Sequence, residues 1–149
     1  IVTQNIDGLH QLAGSQKVYE LHGSIRRYFC MQCGKTHNLD YVEDSRNRRT
    51  GSHIPYCECG GMLKPDVVLY EEPLDDAVVN GAVHIIRKAD LLIVGGTSLV
   101  VYPAAGLLNY FSGKHLVLIN KDSTSYDDRA ELVIHDSLGK VFAEIDKVL

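Results

Sequence analysis

The chain has 149 residues and a formal net charge of −4, from 15 Lys and Arg residues against 19 Asp and Glu residues. Hydrophobic residues make up 45% of the chain and charged residues 23%, which is typical of a folded globular protein and excludes wholesale disorder. The mild negative charge argues against a nucleic-acid partner, and the short apolar runs predict neither a membrane-spanning helix nor a signal peptide.

The first predicted element is a strand over residues 2–5, although the chain begins with Ile1 rather than Met. We therefore expect this sequence to be the later part of a longer protein. Asp7 is placed to cap a short helix that ends at Gly14. Extended segments are predicted next over residues 18–21 and 26–31, followed by a short helix and a loop within residues 38–50.

The four cysteines form two closely spaced pairs, in which Cys30 precedes Cys33 and Cys57 precedes Cys59. Two tight turns that each present two thiolates toward one point are typical of a tetrahedral zinc site. The alternative is four reduced thiols or two disulfides, which the missing signal peptide and the pairing pattern disfavour. His37 and His53 lie near the pairs in the sequence. However, four cysteines already complete the shell of one structural zinc ion in a zinc-ribbon module.

The second half of the chain is predicted to alternate helices with strands. A helix opens at Pro73, another covers residues 103–111, and the last begins at residue 138 with its apolar residues on one stripe. Continuous apolar runs over residues 91–94 and 116–119 are typical of buried strands, and a third short strand covers residues 132–134. This order predicts an α/β fold with a parallel sheet and helices on its faces.

Small and polar residues follow each predicted strand of this sheet. They are the stretches Gln4-Asn5-Ile6-Asp7, Gly95-Gly96-Thr97-Ser98, Asn120-Lys121-Asp122 and His135-Asp136-Ser137. Ligands bind at the carboxyl ends of parallel strands, where glycines let backbone N–H groups approach phosphates and where amides and hydroxyls suit a ribose. The alternative is that Gly and Asn simply end strands, and any single loop leaves this open. Together the four loops favour a nucleotide-type site.

Several of these stretches resemble the sirtuins, the NAD-dependent protein deacylases, in their bacterial form. The matching motifs occur in the family's order over about 140 residues. They are TQNIDGLH from Thr3, GS from Gly14, ELHGS from Glu20, both cysteine pairs, KPDVVLY from Lys64, GTSL from Gly96 and IN from Ile119.

The resemblance implies a role for particular residues. His22 in the ELHGS motif corresponds to the catalytic base. Gln4, Asn5 and Asp7 correspond to contacts with the nicotinamide and its ribose. Val68, Leu69 and Tyr70 correspond to the segment that pairs with a substrate peptide as an added strand. The remaining NAD contacts, on the phosphates and the adenosine, correspond to Gly96, Thr97, Ser98, Asn120, Lys121 and Leu138.

The resemblance also implies an activity, in which acyl groups such as acetyl are removed from protein lysines. NAD is consumed, and nicotinamide and O-acyl-ADP-ribose are the products. The implied cofactors are NAD and one structural Zn ion, and the implied partner is an acyl-lysine protein or peptide in the cytoplasm. Two alternatives stay open, namely mono-ADP-ribosyl transfer from NAD and a non-catalytic zinc-ribbon interaction module. The oligomeric state is left open.

The implied fold is a Rossmann-like parallel sheet, incomplete because its first strand is missing, with a small zinc-ribbon module. The predicted NAD-binding domain covers residues 1–25 and 62–149, and the zinc ribbon covers residues 26–61.

Three features depart from the family. Glu71 replaces a usual Gly, the second cysteine pair has the compact C-x-C form, and the amino-terminal third with its phosphate loop is absent. We therefore expect this chain to be the carboxy-terminal two-thirds of an enzyme and to be poorly active by itself.

Overall fold

A computed structural model describes residues 1–48 and 53–148 of the chain. The chain divides into two compact units, Ile1–Val79 and Asn80–Leu149. These units are defined by internal contacts, so the functional division into an NAD-binding domain and a zinc ribbon stays a prediction. In the part of the chain that is described, no helix combines the length and the apolar character that crossing a membrane requires.

The described residues of the first unit contain five short strands and two complete helices. In chain order they are β1 (Val2–Thr3), α1 (Leu9–Leu12), β2 (Tyr19–Glu20), β3 (Gly23–Cys30), β4 (Thr36–Asn38), α2 (Leu39–Arg48) and β5 (Leu63–Val67). β1 pairs in parallel with β2, whereas β4, β3 and β5 form an antiparallel sheet in that order. The predicted extended segments are therefore confirmed near their expected places, and residues 49–50 at the end of the predicted loop lie outside the described residues.

The antiparallel sheet was not predicted, because β5 lacks the pattern of a strand. Its middle residues are Lys64, Pro65 and Asp66, which neither alternate in polarity nor favour extended structure. Pro65 has no N–H to donate, and it is tolerated because β5 lies at the edge of the sheet.

The core of the first unit combines apolar side chains with two of the cysteines. Tyr28, Val42 and Leu63 are buried together with Cys30 and Cys57. α2 supplies Val42, and this helix begins where the Asn38 side chain accepts a hydrogen bond from the backbone N–H of Tyr41 at 3.0 Å. The cysteine pairs are therefore part of the core rather than a surface attachment.

A glycine at the start of β3 allows a close backbone approach to β5. Gly23 has a φ of +77°, and a Cβ on it would lie 1.9 Å from the carbonyl oxygen of Asp66 in β5. No other residue fits, because real carbon and oxygen atoms do not approach so closely and because L side chains disfavour this φ.

The second unit contains three strands of the predicted parallel sheet, whereas the fourth predicted strand, at residues 2–5, forms β1 and pairs with β2 in a separate two-stranded sheet. The strands of the second unit and the helices around them are α3 (Asp76–Lys88), which begins in the first unit, β6 (Leu91–Gly95), β7 (His115–Ile119), β8 (Leu132–Ile134) and α4 (Leu138–Ile145), with 3-10 helices at Ala104–Tyr110 and Asp127–Arg129. β6, β7 and β8 pair in parallel in that order, which confirms the three predicted strands. The core cluster beside them contains Leu99, Ala105, Leu108, Leu116, Leu118 and Tyr126.

Two details of the second half differ from the prediction. α3 begins at Asp76 rather than at Pro73, because the Asp75 carboxylate accepts the backbone N–H of Val78 at 2.9 Å and so caps the helix later. β6 is not buried on both faces, since Leu91 is 50% exposed and Ile93 is 44% exposed. Side chains alternate along a strand, so only the opposite face of β6 packs against the core cluster.

We expect Gly23→Ala to destabilise the protein far more than Gly14→Ala does. Gly14 also has a positive φ, +93°, but a Cβ there would meet no atom within 4 Å. The Gly14 variant should therefore lose only about 1 kcal/mol from the unfavourable φ, whereas the Gly23 variant must also separate β3 from β5. Urea unfolding of both variants measures the difference, and equal losses would contradict the close approach.

Candidate active site and zinc centre

The four cysteine sulfurs lie together in the first unit. The Sγ atoms of Cys30, Cys33, Cys57 and Cys59 are all within 4.8 Å of one another, with 3.5 Å between Cys30 and Cys59 and 3.8 Å between Cys33 and Cys57. All four are free thiols rather than disulfides. Zinc–sulfur bonds of about 2.3 Å in a tetrahedron place sulfurs about 3.8 Å apart. The cluster therefore fits one zinc ion with four thiolate ligands, as the spacing predicted.

The electrostatics of the cluster also favour a bound cation. The backbone N–H of Cys33 and then that of Gln32 donate to the Cys30 sulfur at 3.5 and 3.4 Å, and the pKa of this thiol is lowered to about 6. The N–H of Gly61 lowers the pKa of Cys59, but hydrogen bonds with Cys30 and Cys33 outweigh it and raise that pKa to about 12. Four sulfurs this close together cannot all ionise unless a cation balances their charge.

His22 lies in the turn between β2 and β3, and its ring is held in one orientation. Its Nδ1 is 3.0 Å from the backbone carbonyl oxygen of Gln4, and its side chain is half-buried. A carbonyl oxygen only accepts hydrogen bonds, so we assign the proton of a neutral ring to Nδ1. Nε2 then has a free lone pair, which is what a general base needs.

The structure brings His22 together with the predicted substrate segment. The backbone N–H of Val68 donates to the His22 carbonyl oxygen at 3.0 Å, directly after the pairing of β3 with β5. The next two residues turn outward, since Leu69 is 54% exposed and Tyr70 is fully exposed. The predicted substrate segment therefore begins one hydrogen bond away from His22.

The turn that follows this segment contains the residue that departs from the family. Glu71 has a φ of +71°, in the left-handed region where glycine is usual. The Glu72 carboxylate holds the turn, because it accepts the Leu69 N–H at 2.9 Å and binds the Lys64 ammonium at 3.0 Å. The departure noted from the sequence therefore falls at a position where the backbone itself favours Gly.

The loop after β1 places the other predicted residues of the first unit. Gln4 is joined to His22 through its carbonyl group. The N–H of Asn5 donates to the Thr3 hydroxyl at 3.1 Å, and Asn5 itself is exposed. Asp7 accepts the N–H of Leu9 at 2.9 Å just before α1, whereas the N-cap position of this helix is Gly8, without a side-chain cap. Of these residues, the structure shows Gln4 in direct contact with His22.

In the second unit, the predicted residues gather at the carboxyl ends of the parallel strands. The Gly96 N–H donates to the Ile119 carbonyl at 3.0 Å, and a Cβ on Gly95 would lie 2.3 Å from Leu138 at the start of α4. The glycine loop is thus packed directly against this leucine. Thr97 is half-buried, and its hydroxyl accepts the Leu99 N–H at 3.2 Å.

The neighbouring polar residues follow β6 and β7 at the same end of the sheet. The Asn120 amide donates to the Asp122 carbonyl at 2.8 Å, which fixes the loop after β7. Ser98 and Lys121 are exposed. The predicted groups of the second unit thus lie together at the carboxyl-terminal end of the sheet. They are the glycine loop, Thr97 with Ser98, Asn120 with Lys121, and Leu138.

The sequence did not predict one polar cluster, which joins β2, β3 and β5. The Arg27 guanidinium contacts the buried Glu20 carboxylate at 2.6 Å and the Asp66 carboxylate at 3.0 Å. Burial lowers the pKa of Arg27, but the hydrogen bonds with the two carboxylates outweigh it and raise the pKa overall. The three residues belong to three different strands, so no local sequence signal could have identified the cluster.

Comparison with known proteins agrees with the motifs and the geometry. The model of the Sir2 family matches residues 1–103. The chain belongs to the Sir2 family. It is 62% identical over 146 residues to an NAD-dependent protein deacetylase of Clostridium acetobutylicum, covering 97% of this chain and 58% of that protein. A deacetylase of the same name from Cutibacterium acnes is 53% identical over 149 residues, covering 100% of this chain and 59% of that protein. The chain therefore spans a little over half the length of these relatives.

Solved structures of the Sir2 family have the same fold as this chain. A Sir2 complex with a p53 peptide and NAD+ has a TM-score of 0.87 at 37% identity, covering 98% of this chain and 61% of that one. A Sir2 protein bound to acetylated peptide has a TM-score of 0.88 at 36% identity, with the same coverage. The predicted Sir2-type α/β fold is confirmed.

We expect the protein to contain about one zinc ion per chain and to lose stability when the ion is removed. The ligands Cys30 and Cys57 lie in the core of the first unit, so metal binding contributes folding free energy. Metal analysis of the purified protein and thermal unfolding with and without EDTA measure this. Cys57→Ser should lower both the zinc content and the thermal midpoint. An unchanged midpoint after zinc removal would contradict the structural role.

We expect the stabilising effect of Glu72 to disappear in acid. The Leu69 N–H and the Lys64 ammonium both lower the pKa of Glu72. A carboxyl group with a lowered folded-state pKa stabilises the fold above its unfolded pKa of about 4.3, and this stabilisation is lost as the pH falls through the lower folded value. Glu72→Gln should therefore lower the thermal midpoint at pH 6 more than at pH 3.

The matched control is Glu71→Gln at the neighbouring exposed position. Its difference from the wild-type protein should be the same at both pH values. If Glu72→Gln also gave a pH-independent difference, the contacts of the Glu72 carboxylate would not stabilise the turn.

Proposed function

We propose that the protein containing this chain removes acyl groups, acetyl in particular, from lysine side chains of proteins in an NAD-dependent reaction. The products would be nicotinamide, O-acyl-ADP-ribose and free lysine. The observation that carries this proposal is the orientation of His22, whose Nδ1 faces the Gln4 carbonyl oxygen and whose backbone carbonyl binds Val68. The NAD-dependent deacetylases of two bacteria, 62% and 53% identical to the chain, support it.

Several of the described residues offer groups that suit parts of NAD. The close packing of Gly95 against Leu138 and the positive φ of Gly96 leave backbone exposed at the end of β6, which suits a phosphate. We assign Gly96, Thr97 and Ser98 to the phosphates and adenosine ribose, with Asn120, Lys121 and Leu138 near the adenosine. In the first unit, we assign Gln4, Asn5 and Asp7 to the nicotinamide and its ribose. When bound, NAD supplies the leaving group and the ribose hydroxyl that accepts the acyl group.

The role of His22 follows from its tautomer. With the proton on Nδ1 held against the Gln4 carbonyl, Nε2 would take a proton from the attacking ribose hydroxyl and later give it to the amine nitrogen that leaves as free lysine. The fixed hydrogen bond to a carbonyl oxygen also stabilises the ring once Nε2 is protonated, because Nδ1 remains a donor. His22 thus acts as the general base of the acyl transfer.

The substrate would bind along the segment that begins at Val68. An extended peptide can add to backbone groups of an exposed segment while its side chains enter neighbouring pockets. Leu69 and Tyr70 are exposed and offer apolar contact for the acyl-lysine side chain. The zinc ion would serve only as a structural ion, since the four cysteines close its coordination shell. The cytoplasmic location stays a prediction, which reduced zinc thiolates support.

The experiment measures nicotinamide release and deacetylation of an acetyl-lysine peptide by the full-length protein that carries this chain. We expect His22→Ala to reduce the rate by at least about 100-fold, the usual contribution of a general base. The exposed His84→Ala provides the control and should retain the rate. Equal NAD-dependent rates for the wild-type protein and His22→Ala would overturn the proposal. Transfer of ADP-ribose to protein without deacetylation would favour mono-ADP-ribosyl transfer instead.

A further inference from the structure

A histidine lies against the cysteine cluster without belonging to its ligand set. His37 is in β4, its side chain is buried, and its Nε2 is 3.3 Å from the Sγ of Cys57. Among the residues that the structure describes, the mutually close ligand atoms are the four cysteine sulfurs. Because zinc is complete with four ligands, His37 faces the outer side of a ligand rather than the metal.

The ring of His37 is held in place from two sides. β4 pairs with β3 so that His37 lies opposite Tyr28. The ring also stacks on Tyr41 of α2, with ring centroids 4.0 Å apart and an angle of 28° between the planes. Tyr41 is itself fixed at the start of α2 by the Asn38 side chain. The direction of the Nε2–Cys57 contact is thus built into the sheet and the helix.

The contact has a chemical consequence for the zinc-bound sulfur. A thiolate is a strong acceptor, and a hydrogen bond to an ionised partner is shorter and stronger than one between neutral groups. Cys30 already receives two backbone N–H groups. The Nε2 of His37, at 3.3 Å, is in position to supply a corresponding donor to Cys57, the other buried cysteine. Donors of this kind reduce the charge on a ligand and fix its orientation.

We propose that His37 donates its Nε2–H to the zinc-bound thiolate of Cys57 and thereby slows the loss of zinc from the protein. His37 is a positioning residue for the metal centre and not a fifth ligand. The proposal concerns metal retention, so it does not depend on the deacylase assignment. It does depend on the zinc centre, which the test measures first.

The test compares four forms of the full protein. His37→Phe keeps an aromatic ring that can stack on Tyr41 but has no N–H donor. His37→Gln restores an N–H near the position of Nε2. His53→Phe changes an exposed histidine of the same region and serves as the control. Zinc release to a coloured chelator is followed after zinc content has been confirmed for each form.

We expect His37→Phe to release zinc about ten-fold faster than the wild-type protein, the lower end of the usual effect of such donors. His37→Gln and His53→Phe should stay close to the wild-type rate. In the cobalt-substituted protein, the sulfur-to-metal charge-transfer band of His37→Phe should move to lower energy, because the sulfur has lost a donor. A change in packing alone would not shift this band in one variant and restore it in the other.

An unchanged release rate and an unchanged cobalt spectrum in His37→Phe would overturn the proposal. If His37→Phe does not fold, the hydrogen bond is tested by NMR in the wild-type protein with cadmium-113 in place of zinc. Scalar coupling between the metal and the ring Nε2 proton through the Cys57 sulfur supports the hydrogen bond, and its absence overturns it. If the wild-type protein contains no zinc and takes up no cobalt, both this proposal and the zinc centre are overturned. The deacetylation experiment is not affected by that outcome.

Discussion

The close approach of β3 and β5 is the constraint on which the first unit depends. It requires Gly23, because a Cβ at this position would lie 1.9 Å from the Asp66 carbonyl oxygen. The same approach brings the Val68 N–H to the His22 carbonyl and places the Asp66 carboxylate beside Arg27. One backbone contact therefore sets both the position of the predicted base and the start of the predicted substrate segment.

β3 also connects this contact to the zinc centre. The strand begins at Gly23 beside His22 and ends at Cys30, the first cysteine of the cluster. Cys30 and Cys57 are buried with Val42 and Leu63, so the metal ligands and the apolar core of the unit stabilise each other. A structural ion can therefore influence the geometry around His22 without contacting substrate, because a single strand of eight residues joins the two sites.

The sequence predicted the chemistry of the site better than its scaffold. The cysteine spacing predicted the four sulfurs that the structure brings together, and the ELHGS motif predicted His22 as the base, because these signals are local. β5 was missed because Lys64-Pro65-Asp66 has no strand pattern and forms a strand only by pairing with β3. The predicted burial of β6 was wrong at Leu91 and Ile93, since an apolar run cannot show which faces of a sheet are covered.

By itself, the sequence determined the Sir2-type motifs, the parallel order of the second half and the set of four cysteines. Each depends on residue type and short spacing, which a linear chain displays directly. Only the tertiary structure decided that the Nδ1 of His22 faces Gln4, that Arg27 joins two carboxylates, and that His37 faces Cys57. These contacts join residues on separate strands and loops, and their partners are chosen by the pairing of strands rather than by any local pattern.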